Sequence, residues 1–107
     1  MKSEVKEKMR GGNGSTELVH LVDCANEKNI RMLAEITLKP GCSIGGHSHD
    51  NETEYFLILS GEGTVNDNGT EKPVKAGEAV VTGNGASHGL RNNGSVPLVL
   101  HAVIVTY

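Results

Sequence analysis

Turn-forming clusters interrupt this chain at intervals of about eight to twelve residues, which leaves room for strands and little for helices. The breaks are GGNG at 11–14, Pro40-Gly41, Gly61, Asn68-Gly69, Gly77, GNG at 83–85 and NGS at 93–95. Between them the apolar residues follow a period of two. In IRMLAEITL (30–38), Ile30, Met32, Ala34, Ile36 and Leu38 alternate with Arg31, Leu33, Glu35 and Thr37, the pattern of a half-buried strand. Asn68-Gly69 separates two further runs as a type I′ hairpin turn. Pro73 cannot donate to a ladder, so the return strand is expected at an edge. The chain reads as all-β, a sandwich or barrel.

Its 107 residues make one domain. Residues 1–15 read as a charged N-terminal arm and flexible turn, with room for a strand around Val5, and 16–107 as the barrel. The net charge is −3 and no block of Lys and Arg stands out, which disfavours a nucleic-acid partner. MKSEVKEKMR has no apolar run of signal-peptide length, and no stretch approaches the ~18–20 apolar residues of a membrane span. No membrane partner is expected, and the expected location is cytoplasmic. Cys24 and Cys42 match no zinc spacing and read as free thiols.

The residues with chemistry to offer are three histidines and a carboxylate. His47 and His49 share one face of an extended strand, because side chains alternate. Glu54 lies an odd number of positions beyond His49, so the polar insert DNET (50–53) is expected to turn or bulge and re-aim the chain. After it, Glu54, Phe56 and Ile58 share one face of a strand, and Tyr55, Leu57 and Leu59 the other. Both faces are apolar, so burial on both sides is expected. His88 follows a second glycine-punctuated run.

Three imidazoles and a carboxylate suit a divalent first-row transition metal (manganese, iron, nickel or zinc) rather than calcium or magnesium. The imidazoles must be neutral to bind, so affinity is expected to fall in acid. Met32, Phe56, Ile58, Leu90 and Asn92 are candidates for the surrounding pocket, Asn92 because it shares the parity of His88. Arg31 and Arg91 are the strand-borne anion-binding candidates, and alternation turns Arg91 away from His88. His20 and His101 lie in apolar runs and read as packing or interface residues.

The spacing Gly41, five residues, His47-x-His49, four residues, Glu54, six residues, Gly61 resembles the first motif of the cupin superfamily. Gly77, five residues, the turn at 83–85, two residues, His88, three residues, Asn92 resembles the second. The departure is Gly83, where the family usually has proline. The resemblance implies a double-stranded β-helix, or jelly-roll barrel, with His47, His49, Glu54 and His88 as metal ligands inside it. It also implies a homodimer joined through outer strand faces, for which LVLHAVIVTY (98–107) and the Tyr55/Leu57/Leu59 face are candidates.

The activity that the resemblance implies most readily is that of a metal-dependent enzyme of decarboxylase or dioxygenase kind, acting on a small oxygen-rich carboxylate. A non-catalytic ligand-binding or sensing module is the alternative. Sugar isomerase or epimerase chemistry is a third reading, and the shortage of aromatic rings (Tyr55, Phe56, Tyr107) counts against it. No general acid is assigned; Glu52 is the nearest candidate.

Overall fold

The computed structural model describes residues 2–107 and contains ten strands. They are β1 (Lys2–Glu7), β2 (Ser15–His20), β3 (Ile30–Leu38), β4 (Ser43–Ser48), β5 (Glu52–Ser60), β6 (Glu62–Asp67), β7 (Thr70–Lys75), β8 (Ala79–Gly83), β9 (Ser87–Arg91) and β10 (Leu98–Thr106). Among the described residues the only helical pieces are two single 3₁₀ turns, Met9–Gly11 and Cys24–Asn26. No helix among them is long and apolar enough to cross a membrane.

Six strands form one antiparallel sheet in the order β1-β2-β3-β10-β5-β8, and four form the other in the order β4-β9-β6-β7. The core lies between them. Ile36, Leu38, Phe56, Ile58, Leu98 and Leu100 of the larger sheet meet Ile44, Val65 and Leu90 of the smaller, all almost wholly buried. Strand β10 alternates buried and half-buried positions along most of its length, as a period of two requires.

Several local expectations hold. IRMLAEITL is β3 from end to end. Asn68 and Gly69 have φ of 51° and 95°, the two positive values of a type I′ turn, and Pro73 lies on β7 at an edge. The charged N-terminal segment is a strand: β1 pairs with β2 along its whole length, from Lys2↔His20 to Glu7↔Ser15. Met1, the first residue of the expected arm, lies outside the described residues. Within this chain the outer face of β5 is left uncovered, since Tyr55, Leu57 and Leu59 are 37%, 41% and 46% exposed. Only the inner face meets the second sheet.

Leu100 is fully buried at the centre of β10. Leu100→Ala is expected to destabilise the protein by about 2–5 kcal/mol, from lost transfer energy plus the cavity left behind. Urea unfolding of the chelator-treated protein measures it; a loss under about 1 kcal/mol would mean that this strand is not the centre of the core.

Candidate metal centre

Strand pairing brings the first two donors together. In the β4–β9 ladder His47 stands directly opposite His88, while Ile44 stands opposite Leu90. Three steps along β4 thus match two along β9, and Gly45-Gly46 carries the extra residue as a β-bulge. His49 follows the end of β4; its N–H donates to the Ala86 carbonyl (3.0 Å) and its carbonyl accepts from Gly85 N–H (2.8 Å). Asn51, at φ 59°, then reverses the chain, and β5 begins at Glu52. The re-aiming turn is therefore shorter than DNET, and it sets Glu54 on the inner face.

The four side chains converge. Glu54 Oε1 lies 2.8 Å from His88 Nε2, 2.9 Å from His49 Nε2 and 3.8 Å from His47 Nε2. His88 Nε2 lies 3.0 Å from His49 Nε2 and 3.1 Å from His47 Nε2. Bonds of about 2.1 Å set at right angles hold donors about 3.0 Å apart, so these spacings fit a single transition-metal ion. Among the described residues this is the one cluster of its kind.

The outer nitrogens of His47 and His49 face acceptors, which decides where those two rings carry a proton. His47 Nδ1 is 2.9 Å from the Gly45 carbonyl, which can only accept, so Nδ1 carries the proton and the Nε2 lone pair points inward. His49 Nδ1 faces Glu52 Oε2 at 2.5 Å, and His88 Nδ1 faces Thr82 Oγ1 at 2.9 Å. Arg31 holds Glu52 below the usual carboxylate range against the effect of burial, and His49 adds to this, so Glu52 is an ionised acceptor. Burial opposes ionisation of Glu54, but His47, His88 and His49 around it outweigh burial and hold its carboxyl at about 2. Burial pushes His88 down, with Glu54 opposing, which favours the neutral imidazole a metal requires. Three imidazole nitrogens and an ionised carboxylate converging this closely offer a cation lying among them four donors.

Above the donors lies a cavity of about 490 Å³, with His47, His49 and Glu54 in its lining. Of the five pocket candidates, Met32 and Phe56 line it, and the Phe56 ring stacks on His88 at 4.5 Å between centroids. Ile58 and Leu90 lie in the core instead. Asn92 points inward but serves the backbone: Nδ2 donates to the Leu38 and Val96 carbonyls (2.8 Å each), and Oδ1 accepts from Gly94 N–H (2.9 Å). Arg91 pairs with Glu71 on the outside, His20 with Glu4, and His101 with Glu35. Arg31 lines the cavity and donates to both oxygens of Glu52 (2.9 and 2.8 Å). Glu52 is thus engaged by Arg31 and His49. Its sequence signal was only its place three residues after His49. Gly83 is explained by close approach, since a Cβ there would lie 2.4 Å from Thr53 Oγ1 on β5, and Asn84 and Gly85 make the turn.

The family model described as "Cupin domain" matches residues 34–105. A Thermotoga maritima protein described as an oxalate-binding protein is 43% identical over 98 residues, spanning 91% of this chain and 81% of its own. The crystal structure of a predicted oxalate decarboxylase from Thermotoga maritima superimposes with a TM-score of 0.95 at 40% identity, covering 100% of this chain and 94% of that one. A mannose-1-phosphate guanylyltransferase of Klebsiella pneumoniae is 35% identical over 63 residues, but these are only 13% of its length.

Because Glu52 fixes the His49 ring, Glu52→Gln is expected to weaken metal binding by roughly 10–100-fold without changing the fold. Competition against a chromophoric chelator, beside far-UV circular dichroism, measures both. Unchanged affinity would remove Glu52 from the site.

Proposed function

This chain belongs to the cupin domain family, and on that footing we propose that its four converging donors hold one divalent transition-metal ion and present it to a small carboxylate of the oxalate class. The observation that carries this is the inward convergence of three imidazole nitrogens and a carboxylate in the lining of an open cavity. The ion, when bound, would supply a Lewis-acid template for ligand oxygens. The chain's own residues do the rest. The Gly45 carbonyl and Glu52 orient His47 and His49, Glu54 supplies the negative charge, and Phe56 backs His88. Met32 and Ile104 wall the cavity. The choice of ligand draws on the Thermotoga maritima oxalate-binding protein.

Turnover is the second reading, favoured by the 40% identity to the predicted oxalate decarboxylase. Decarboxylation needs a proton on the product carbon. Glu52 is engaged with Arg31 and His49, and Glu7 is the one carboxylate besides Glu54 in the cavity lining. Binding is therefore the conclusion and decarboxylation the outcome to be tested. Phe56, the one aromatic ring of the lining among the described residues, has a face taken by His88, which offers little to a sugar.

Elemental analysis after reconstitution is expected to find roughly one manganese, iron, nickel or zinc ion per chain, lost in His47→Ala. Calorimetry is expected to detect oxalate binding only in the loaded protein. Release of formate and carbon dioxide would move the conclusion to the decarboxylase; absence of metal after reconstitution would end both readings.

We also propose that the exposed β5–β8 face joins two copies of the chain. Tyr55, Leu57, Leu59 and Val81 are apolar and exposed there, and Val81 pairs with Tyr55 across the ladder. Light scattering after gel filtration is expected to give a dimer, converted to monomer by Val81→Lys. A monomeric wild type would reject this interface.

A further inference from the structure

Three cationic side chains on one short segment line the metal cavity, with a single carboxylate, Glu7, among them on that segment. Lys6, near the end of β1, and Lys8 and Arg10, at the 3₁₀ turn Met9–Gly11, form a strap along the lining, and Met9 between them packs on the core. Arg31, the other cation of the lining, is occupied by Glu52. None of the three strap cations forms a salt bridge among the described residues, and Glu7 is the one acid on the strap. This positive edge belongs to a chain whose net charge is −3.

The strap is held in place. Lys8 and Arg10 have φ of 48° and 55°, a left-handed backbone that residues with side chains seldom adopt. Lys8 N–H donates to the Gly14 carbonyl (2.8 Å), and Gly11 N–H to the Lys8 carbonyl (2.9 Å). Two glycines let the strap lie against β4. A Cβ on Gly45 would stand 1.9 Å from the Arg10 carbonyl oxygen, and one on Gly12 would stand 2.2 Å from that of Ser43. A tightly seated backbone thus fixes where these three cations, in excess over Glu7, leave the chain.

The cavity is also larger than oxalate needs. Its volume of about 490 Å³ falls within the ~300–1,000 Å³ of pockets that enclose drug-sized ligands, and Met32, Ile36, Ile44 and Ile104 give it apolar walls. Oxalate has no carbon outside its two carboxylates to set against them. We infer that the ligand is a longer dianion. It has a chelating carboxylate headgroup at the four donors, a short apolar skeleton along these walls, and a second carboxylate against Lys6, Lys8 and Arg10. This inference rests on the metal-centred reading above and adds the strap as its specificity-determining element.

The test is calorimetry on the metal-loaded protein with four probes: oxalate, lactate, malate and 2-hydroxyglutarate. Lactate carries the chelating headgroup alone; the last two add a distal carboxylate at two lengths. At low salt, at least one of the two dicarboxylates is expected to bind about tenfold or more tighter than lactate, and the advantage is expected to shrink as salt is added. In Lys8→Asn/Arg10→Asn it is expected to fall to within about threefold; asparagine tolerates the left-handed backbone, so charge is removed without new strain. Lys6→Ser, on the strand, carries the comparison if the double variant misfolds. Equal affinity for lactate and both dicarboxylates in wild type, or an advantage unchanged in the variants, would overturn the inference while oxalate binding left the metal-centred reading standing. Failure of oxalate and lactate alike would overturn both.

Discussion

The register between β4 and β9 is the constraint on which the rest of this structure depends. His47 and His88 can face one metal only because they are directly opposite across the ladder, where Cβ atoms stand about 4.5–5.5 Å apart. A slip of one residue would send His88 to the opposite face, since side chains alternate with each step. The Gly45-Gly46 bulge absorbs one residue and so aligns His47 while keeping Ile44 in the core opposite Leu90.

That bulge has a second consequence. Because Gly45 has no side chain, the Arg10 carbonyl can approach β4 closely enough for the strap to seat itself there. Gly45 therefore takes part both in aligning a candidate metal donor and in seating the positive edge of the cavity. An alanine at Gly45 would meet the backbone of the strap, not a movable side chain, so the two features are mechanically joined.

Site and scaffold also share strand β5. Glu54 points inward beside Phe56 and Ile58, so the packing that buries the two apolar side chains also fixes the carboxylate. Phe56 stacks on the His88 ring and lines the cavity, linking core to site in one residue. Burial of polar donors is costly unless each is satisfied. Gly45, Glu52 and Thr82 accept at or face the outer ring nitrogens, which leaves the inner ones turned toward a common point.

By itself the sequence determined what depends on neighbours along the chain: β3, the Asn68-Gly69 hairpin, the edge position of the Pro73 strand and the inward face of Glu54, Phe56 and Ile58 all follow from alternation and turn chemistry. The spacing also singled out the four donors that the fold brings together. Only the tertiary structure decided that β1 pairs with β2, that Asn92 bonds the backbone of the Leu38 and Val96 stretches, that Glu52 bridges Arg31 to His49, and that Lys6, Lys8 and Arg10 reach the cavity. The reason is physical. Period and turn type are local backbone properties, whereas contacts such as Arg31–Glu52 and Asn92–Leu38 join residues distant in sequence, whose partners are chosen by how the strands assemble.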